Sequence, residues 1–305
     1  HEFCGFVEAV GERAGMTGLL AGEYVSAEMH VVCGLCEQCR SGQGHICVNT
    51  RILGIHEDGA FAELVKVPVR NVIRLDPYDV PIEVGAFLDA LGNAVHATQV
   101  VDLAGKSVAV TGFGPIGAMA AAVAEHSGAE LIIVTDVSDH ALESARRWAA
   151  NRNIPNLHAF NVASTPADEL GAAIHALTGD GVDVLLEMSG APAAINFGLD
   201  IVRMGGFVSL LGLPAERSVT LDNYTRNLIF KGITVQGIIG RRMYGTWQRM
   251  LALLRSGLDV SWVVQAEFDS FDRFHEGIEI FDRHEALKVV FYPEGKDATR
   301  SRFTV

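Results

Sequence analysis

Basic residues are scarce in this sequence. Lys and Arg number 24 against 37 Asp and Glu, a formal net charge of −13 over 305 residues. A nucleic-acid surface needs a cationic footprint to displace counterions from phosphates, so nucleic acid is excluded as a partner. Long apolar runs are missing too. None reaches the roughly 20 residues of a membrane span, so no membrane partner is expected. No secretory leader is visible, and the chain opens without Met at His1-Glu2-Phe3. It reads as a fragment whose beginning lies elsewhere, with a cytoplasmic location as the companion expectation. Hydrophobic residues nonetheless make up 49%, enough for a sizeable core and one or two domains.

Cysteine is sparse and concentrated. Of five residues, four (Cys33, Cys36, Cys39 and Cys47) fall within 15 positions. Disulfides do not fit a leaderless chain, whereas tight C-x-x-C spacing favours a metal. Four thiolates so placed can close a tetrahedral Zn²⁺ site with no open position, which makes the site structural. Taken alone the segment could also be a zinc-finger-like binding module, but its surroundings are not basic. Cys4 stands apart and reads as a small buried apolar residue.

The rest of the chain is organised around Val108 to Asp136. An apolar run, Val-Ala-Val-Thr, leads into Gly112-Phe-Gly114-Pro-Ile116-Gly117. A helical run to Gly128 follows, then a second apolar run ending at Asp136. This is strand, glycine turn, helix, strand, acid. The first glycine permits the sharp turn, the second lets backbone approach a pyrophosphate, and the third lets helix and strand pack closely. The helix start then offers free N–H groups and the positive dipole end to the phosphates. Asp136, 19 residues after Gly117, is placed to accept from a ribose 2′-hydroxyl, and it would repel a 2′-phosphate. NAD is the expected cofactor.

Before this unit the pattern suggests short strands, at Phe3 to Val10, around Ala21 to Val25, and at Gly59 to Val67. Pro77 to Pro81 reads as a loop. Ile82 to Val101 carries apolar residues at threes and fours and predicts one helix. Asp89 lies in it, and by itself reads as well as a solvated or capping acid. From Lys106 strands alternate with helices. Helices are expected at Ser138 to Ala150, Asp168 to Leu177 and Ala193 to Val202, the last ended by Gly205-Gly206. Strands are expected at Val182 to Glu187, Phe207 to Leu211 and Ile233 to Ile238. Helices at Tyr244 to Ser256 and Phe271 to Phe281 and a strand at Leu287 to Phe291 complete the reading. The fold class is α/β, with a doubly wound parallel sheet.

Particular stretches then carry a family resemblance. They are His1-Glu2, the four-cysteine lobe, Gly112 to Gly117, Glu28-Met-His30-Val-Val-Cys33, Leu91-Gly-Asn-Ala-Val-His96, Leu186-Glu-Met-Ser-Gly-Ala-Pro192 and Gly240-Arg-Arg-Met-Tyr-Gly-Thr-Trp247. The sequence resembles the zinc-dependent medium-chain alcohol dehydrogenases over essentially its whole length, and within them the branch that oxidises L-threonine. The resemblance implies a GroES-like, mainly β catalytic domain over 1–87 that lacks its N-terminal segment, with the zinc lobe at 28–50. It implies a Rossmann domain over 88–240 and a return to the catalytic domain over 241–305. It implies His1 and Glu2 as ligands of a catalytic zinc, Asp89 as an acid supporting the proton relay beside that zinc, and His30 as a residue shaping substrate preference. Leu211, Gly212, Leu213, Ile238 and Ile239 would join Gly112, Gly114, Ile116, Gly117 and Asp136 around NAD. A small-molecule substrate and a homo-oligomer, a tetramer in the family, are implied as well. Two rival functions stay open: a polyol or diol dehydrogenase of the same family, and a zinc-stabilised dinucleotide-binding protein without turnover.

Three departures from the family pattern stand out. The segment with the cysteine ligand of the catalytic zinc and the Thr and His of the relay is absent. Ala141 stands where the threonine branch has an arginine beside the adenosine pocket. Ala90 replaces a proline after the acid.

Overall fold

A computed structural model describes residues 1–12, 14–75 and 79–303; part of the loop expected at Pro77 to Pro81 lies outside them. The chain divides into two compact units. One comprises His1–Asn93, Gly240–Asp282 and Lys288–Val305; the other comprises Ala94–Ile239 and Arg283–Leu287.

The second unit is a six-stranded, all-parallel sheet. Its spatial order is Thr234–Gly237, Val202–Leu210, Val182–Glu187, Ser107–Thr111, Leu131–Asp136 and Leu157–Asn161. Numbered along the chain, that order is 6-5-4-1-2-3, the doubly wound topology. Val108–Thr111 and Ile132–Thr135 are buried throughout, as strands sandwiched between helices must be, which is why they read as continuous apolar runs. On one side Leu170, Ile174, Ile195 and Leu199 pack against Ala109, Ile133, Leu185 and Val208. The helix Asp139–Arg152 starts where expected, with the Ser138 hydroxyl accepting from the Ala141 N–H at 3.3 Å.

Two expectations for this unit are corrected. The helix at Pro192–Ile201 ends before Gly205-Gly206, and a strand begins directly at Val202. The glycines instead serve the sheet: register shifts between Val202 and Phe207, and a Cβ on Gly206 would lie 2.5 Å from Val202 Cγ1. The strand Leu157–Asn161 and the single wide helical segment Thr225–Phe230 had no sequence signal strong enough to read.

The first unit contains a three-stranded antiparallel sheet of Cys4–Phe6, Tyr24–Ala27 and Val72–Arg74. It also holds two small ribbons, His30–Val31 with Arg51–Ile52, and Val264–Phe268 with Lys288–Phe291. The segment Gly59 to Val67 forms no strand. No ladder partner faces it among the described residues, and Phe61 and Leu64 are each 71% exposed; alternation alone cannot hold an extended chain without a neighbour. The expected helix from Ile82 is broken into Ile82–Gly85 and Leu88–Gln99. Just before the break a Cβ on Gly85 would lie 2.1 Å from the Tyr24 hydroxyl, so glycine there lets Tyr24 pack against the first segment. Among the described residues no helix is long and apolar enough to cross a membrane.

Candidate functional site

The glycine turn takes the form its sequence requires. Gly112 sits at φ +86°, and its N–H donates to the Thr135 carbonyl at 2.8 Å. A Cβ on Gly117 would lie 2.0 Å from the Gly112 oxygen, so helix and strand meet there only through glycine. Around Gly114 there is open space within 4 Å. Gly114 is also the N-cap of Pro115–His126, with no side chain capping the helix. Unmet N–H donors therefore face a gap, the arrangement that receives a phosphate.

Ile116 follows, half-buried in the first turn. Asp136 closes its strand, and both of its oxygens are engaged: Oδ2 accepts from Phe113 N–H at 2.6 Å and Oδ1 from Ser138 N–H at 2.8 Å. The acid thus ties the turn to the next helix, and a carboxylate retains lone pairs for a ribose hydroxyl. Leu211, Gly212 and Leu213 follow the strand ending at Leu210, and Ile238 and Ile239 follow the one ending at Gly237. All of the expected cofactor residues therefore gather at the carboxyl edge of the sheet, where such sheets bind their ligands.

Sequence reasoning missed Glu187 here. It is fully buried, its Oε1 accepts from Ser189 and Gly190 N–H at 2.9 Å, and its carbonyl accepts from Leu211 and Gly212 N–H at 3.0 and 3.1 Å. It fixes the loops under Leu211 to Leu213.

In the other unit, the four cysteine sulfurs lie within 4.8 Å of one another. Cys33 to Cys47 is 3.6 Å and Cys36 to Cys47 is 3.8 Å. A tetrahedron with Zn–S bonds of about 2.3 Å has edges of about 3.8 Å, so the lobe is shaped for that ion. Backbone N–H groups of Leu35 and Cys36 point at Cys33 Sγ, at 3.5 and 3.4 Å. Their donation brings the Cys33 thiol down to about 6, which favours its thiolate form. Cys39, by contrast, is pushed up to about 12, by burial first and its neighbouring thiols second. A bound dication would reverse that.

The third feature is a buried charge cluster in the same unit. One donor atom each from His1, Glu2 and Asp89 falls within 4.8 Å of the others, a nitrogen and oxygen set that suits Zn²⁺. Asp89 Oδ2 faces His1 Nδ1 at 3.3 Å; this contact raises the His1 pKa against the opposing effect of burial. Glu2 is paired with Lys288. Asp89 Oδ1 lies 2.6 Å from Arg241 Nη2, and Arg241 Nη1 also donates to the Asp89 carbonyl at 2.9 Å and to Asn93 Oδ1 at 3.2 Å.

Arg241 is fully buried. Its other edge grips Glu28, through Nε to Oε2 at 3.0 Å and Nη2 to Oε1 at 2.7 Å. Trp247 Nε1 donates to Glu28 Oε2 at 2.7 Å, and His30 Nδ1 lies 2.6 Å from Oε1. Burial would push the Glu28 carboxyl up, but His30 and Arg241 together outweigh it and hold it well below the ordinary carboxylate range. Room for the guanidinium stem comes from Gly92, where a Cβ would lie 2.1 Å from Arg241 Cδ. The sequence singled out Asp89 and His30; it gave no sign that Glu28, Arg241, Asn93 and Trp247 join them, since Glu28 and Arg241 are 213 residues apart.

Comparison with known proteins shows what the chain as a whole is similar to. Residues 1–77 match the alcohol dehydrogenase GroES-like domain, and residues 115–256 match the zinc-binding dehydrogenase family. The chain is 43% identical to an L-threonine 3-dehydrogenase of Caldanaerobacter subterraneus subsp. tengcongensis, over 96% of this chain and 81% of that protein. An alcohol dehydrogenase from Thermus sp. ATN1 superposes with a TM-score of 0.84 at 31% identity, covering 96% of this chain and 83% of its own. The 2R,3R-butanediol dehydrogenase of Bacillus subtilis shares the fold, with a TM-score of 0.82 at 24% identity over 96% and 80% of the two chains.

Proposed function

The chain belongs to the zinc-dependent medium-chain alcohol dehydrogenases, and from that premise we propose that it oxidises the 3-hydroxyl of L-threonine to 2-amino-3-oxobutanoate with NAD. One observation carries the substrate reading. Three stretches tied by resemblance to the threonine branch, Glu28 to His30, Leu91 to His96 and Gly240 to Trp247, meet in one buried network through Glu28, His30, Asn93, Arg241 and Trp247. They are distant in sequence and lie outside the glycine turn, so a shared fold alone does not explain their company.

In this reading Cys33, Cys36, Cys39 and Cys47 hold a structural zinc, and His1 and Glu2 hold the catalytic one. When bound, the catalytic zinc supplies Lewis acidity that eases loss of the alcohol proton, and NAD supplies the hydride acceptor. Asp89 faces Nδ1 of His1, which leaves the other ring nitrogen for the metal, the usual work of a carboxylate behind a ligating histidine. Arg241 holds Asp89 in place. Asp136 selects NAD over NADP, because its carboxylate accepts from a 2′-hydroxyl and repels a 2′-phosphate.

A site that pairs the ammonium and carboxylate of threonine rejects alcohols lacking them, since its polar groups would be stranded. The test is kcat/KM of the full gene-encoded chain for L-threonine, sorbitol and 2,3-butanediol with NAD⁺. L-threonine should lead by orders of magnitude; equal or better turnover of the diol or polyol moves the protein to that branch of the family.

A further inference from the structure

Two loops at the carboxyl edge of the parallel sheet hang from one residue. Glu187 ends the fourth strand of the sheet, paired with Thr111 of the first and Leu210 of the fifth, and it is fully buried. Its side-chain Oε1 accepts from the N–H and the hydroxyl of Ser189 and from the Gly190 N–H. Its main-chain carbonyl accepts from the N–H groups of Leu211 and Gly212 at 3.0 and 3.1 Å. The loops then meet with no side chain between them. A Cβ on Gly212 would lie 2.0 Å from the Gly190 nitrogen, and one on Gly190 would lie 2.4 Å from the Leu213 carbonyl carbon. The first loop also touches the glycine turn. Met188 N–H donates to the Thr111 carbonyl at 2.8 Å, and a Cβ on Gly112 would lie 2.8 Å from Ser189 Cβ.

Topology decides which half of a dinucleotide these loops face. Asp136, the acid for the adenosine ribose, ends the second strand, on one side of the glycine turn. Strand order reverses on the other side, between the first strand and the fourth, and a dinucleotide lies across that crevice. With its pyrophosphate at the turn and its adenosine toward Asp136, its nicotinamide half lies over the ends of the fourth and fifth strands, where both loops are.

We propose that Glu187 is a positioning residue for the nicotinamide half of NAD: it holds the Ser189–Gly190 and Leu211–Leu213 loops in their binding shape before the cofactor arrives. The proposal rests on the reading of this edge as the NAD site. A loop that orders only on binding subtracts its ordering cost from affinity, and loops already tied to one buried residue forgo that cost. The work falls on Oε1 and the carbonyl, because Oε2 is sealed from solvent and has no hydrogen-bond partner among the described residues.

Calorimetric titration of the full gene-encoded chain with ADP and with NAD⁺ separates the two halves, since ADP reaches only the glycine turn and Asp136. In Glu187→Ala the loops keep the binding shape for a fraction of the time, and the dissociation constant rises by the inverse of that fraction. NAD⁺ should weaken about tenfold or more, and ADP by less than about twofold. Glu187→Gln keeps a carbonyl acceptor at Oε1 but buries amide hydrogens without a partner. It should lower the urea midpoint as Glu187→Ala does, yet hold NAD⁺ within about twofold of wild type. Equal weakening of ADP and NAD⁺ in Glu187→Ala, unchanged NAD⁺ affinity there, or weakened NAD⁺ in Glu187→Gln overturns the proposal. Where Glu187→Ala does not fold, amide hydrogen exchange of the wild type decides. Ser189, Gly190, Leu211 and Gly212 should exchange slowly without cofactor; fast exchange that slows only when NAD⁺ is added overturns it as well. Should neither ADP nor NAD⁺ bind, the NAD reading of this edge fails, while the exchange measurement still judges the hold of Glu187 on the loops.

Discussion

Replacing Gly92 by alanine pits two effects against each other. Gly92 lies inside the helix Leu88–Gln99, where alanine is ordinarily worth about 0.5–1 kcal/mol more than glycine. Here the new Cβ would lie 2.1 Å from Arg241 Cδ and 2.7 Å from Cγ, far inside contact distance, and Arg241 is fully buried; the interiors of folded proteins are close-packed. The guanidinium must move off Glu28 and Asp89, and breaking a buried charge pair costs about 3–5 kcal/mol. The net expectation is a loss of about 2–4 kcal/mol. Gly171 is the internal control. It sits within the helix Ala167–Thr178 with nothing within 4 Å of its would-be Cβ, so Gly171→Ala should gain up to about 1 kcal/mol. Urea midpoints of both variants against wild type decide the matter. If Gly92→Ala stabilises as Gly171→Ala does, the tight packing of Arg241 is refuted.

Other expectations follow from the same geometry. Elemental analysis of the full gene-encoded chain should find up to two zincs per chain. Cys36→Ser should remove the lobe's zinc and lower the denaturation midpoint, because a closed site supplies folding energy; unchanged zinc content would count against the lobe. Asp136→Ala should both relax the preference for NAD over NADP and weaken NAD itself, since Asp136 anchors Phe113 and Ser138. A wild type that reduces NADP⁺ as well as NAD⁺ speaks against this reading.

Acid should destabilise the fold through its lowered carboxyls, Glu28 and Asp183 among them. Burial pushes both up, but Glu28 is lowered overall by His30 and Arg241, and Asp183 by Ser107 and Arg203. A carboxyl whose folded pKa is depressed contributes stability above its unfolded value, near 4, and that stability drains away as pH falls through the folded value. The melting midpoint should therefore drop below about pH 4, and less so in Asp183→Asn; equal acid sensitivity of variant and wild type would remove Asp183 from the account.

The parts legible in the sequence share one property: their signals are local. Gly112 to Gly117 with Asp136, and Cys33 to Cys47, each declare themselves within one short stretch, because turn geometry and tetrahedral ligation impose fixed spacings. Ser138 as a helix cap is equally local. What escaped depends on neighbours distant along the chain. Gly59 to Val67 alternates like a strand but meets no ladder partner among the described residues, and the helix from Ile82 is interrupted between Gly85 and Leu88, where Gly85 packs against Tyr24 from a distant strand. The Glu28–Arg241 pair could not be read at all, since charge alone does not say which of 37 acids a buried arginine meets. The resemblance located Asp89 and His30; only the structure shows that one arginine and one glutamate bind them together.

The central claim is that hydride leaves C3 of L-threonine for the nicotinamide. L-threonine deuterated at C3, given to the full gene-encoded chain with NAD⁺, tests it most directly. One deuterium should appear in each reduced nicotinamide formed. Reduced cofactor without label, or no reduction with L-threonine while a diol is oxidised, would contradict it.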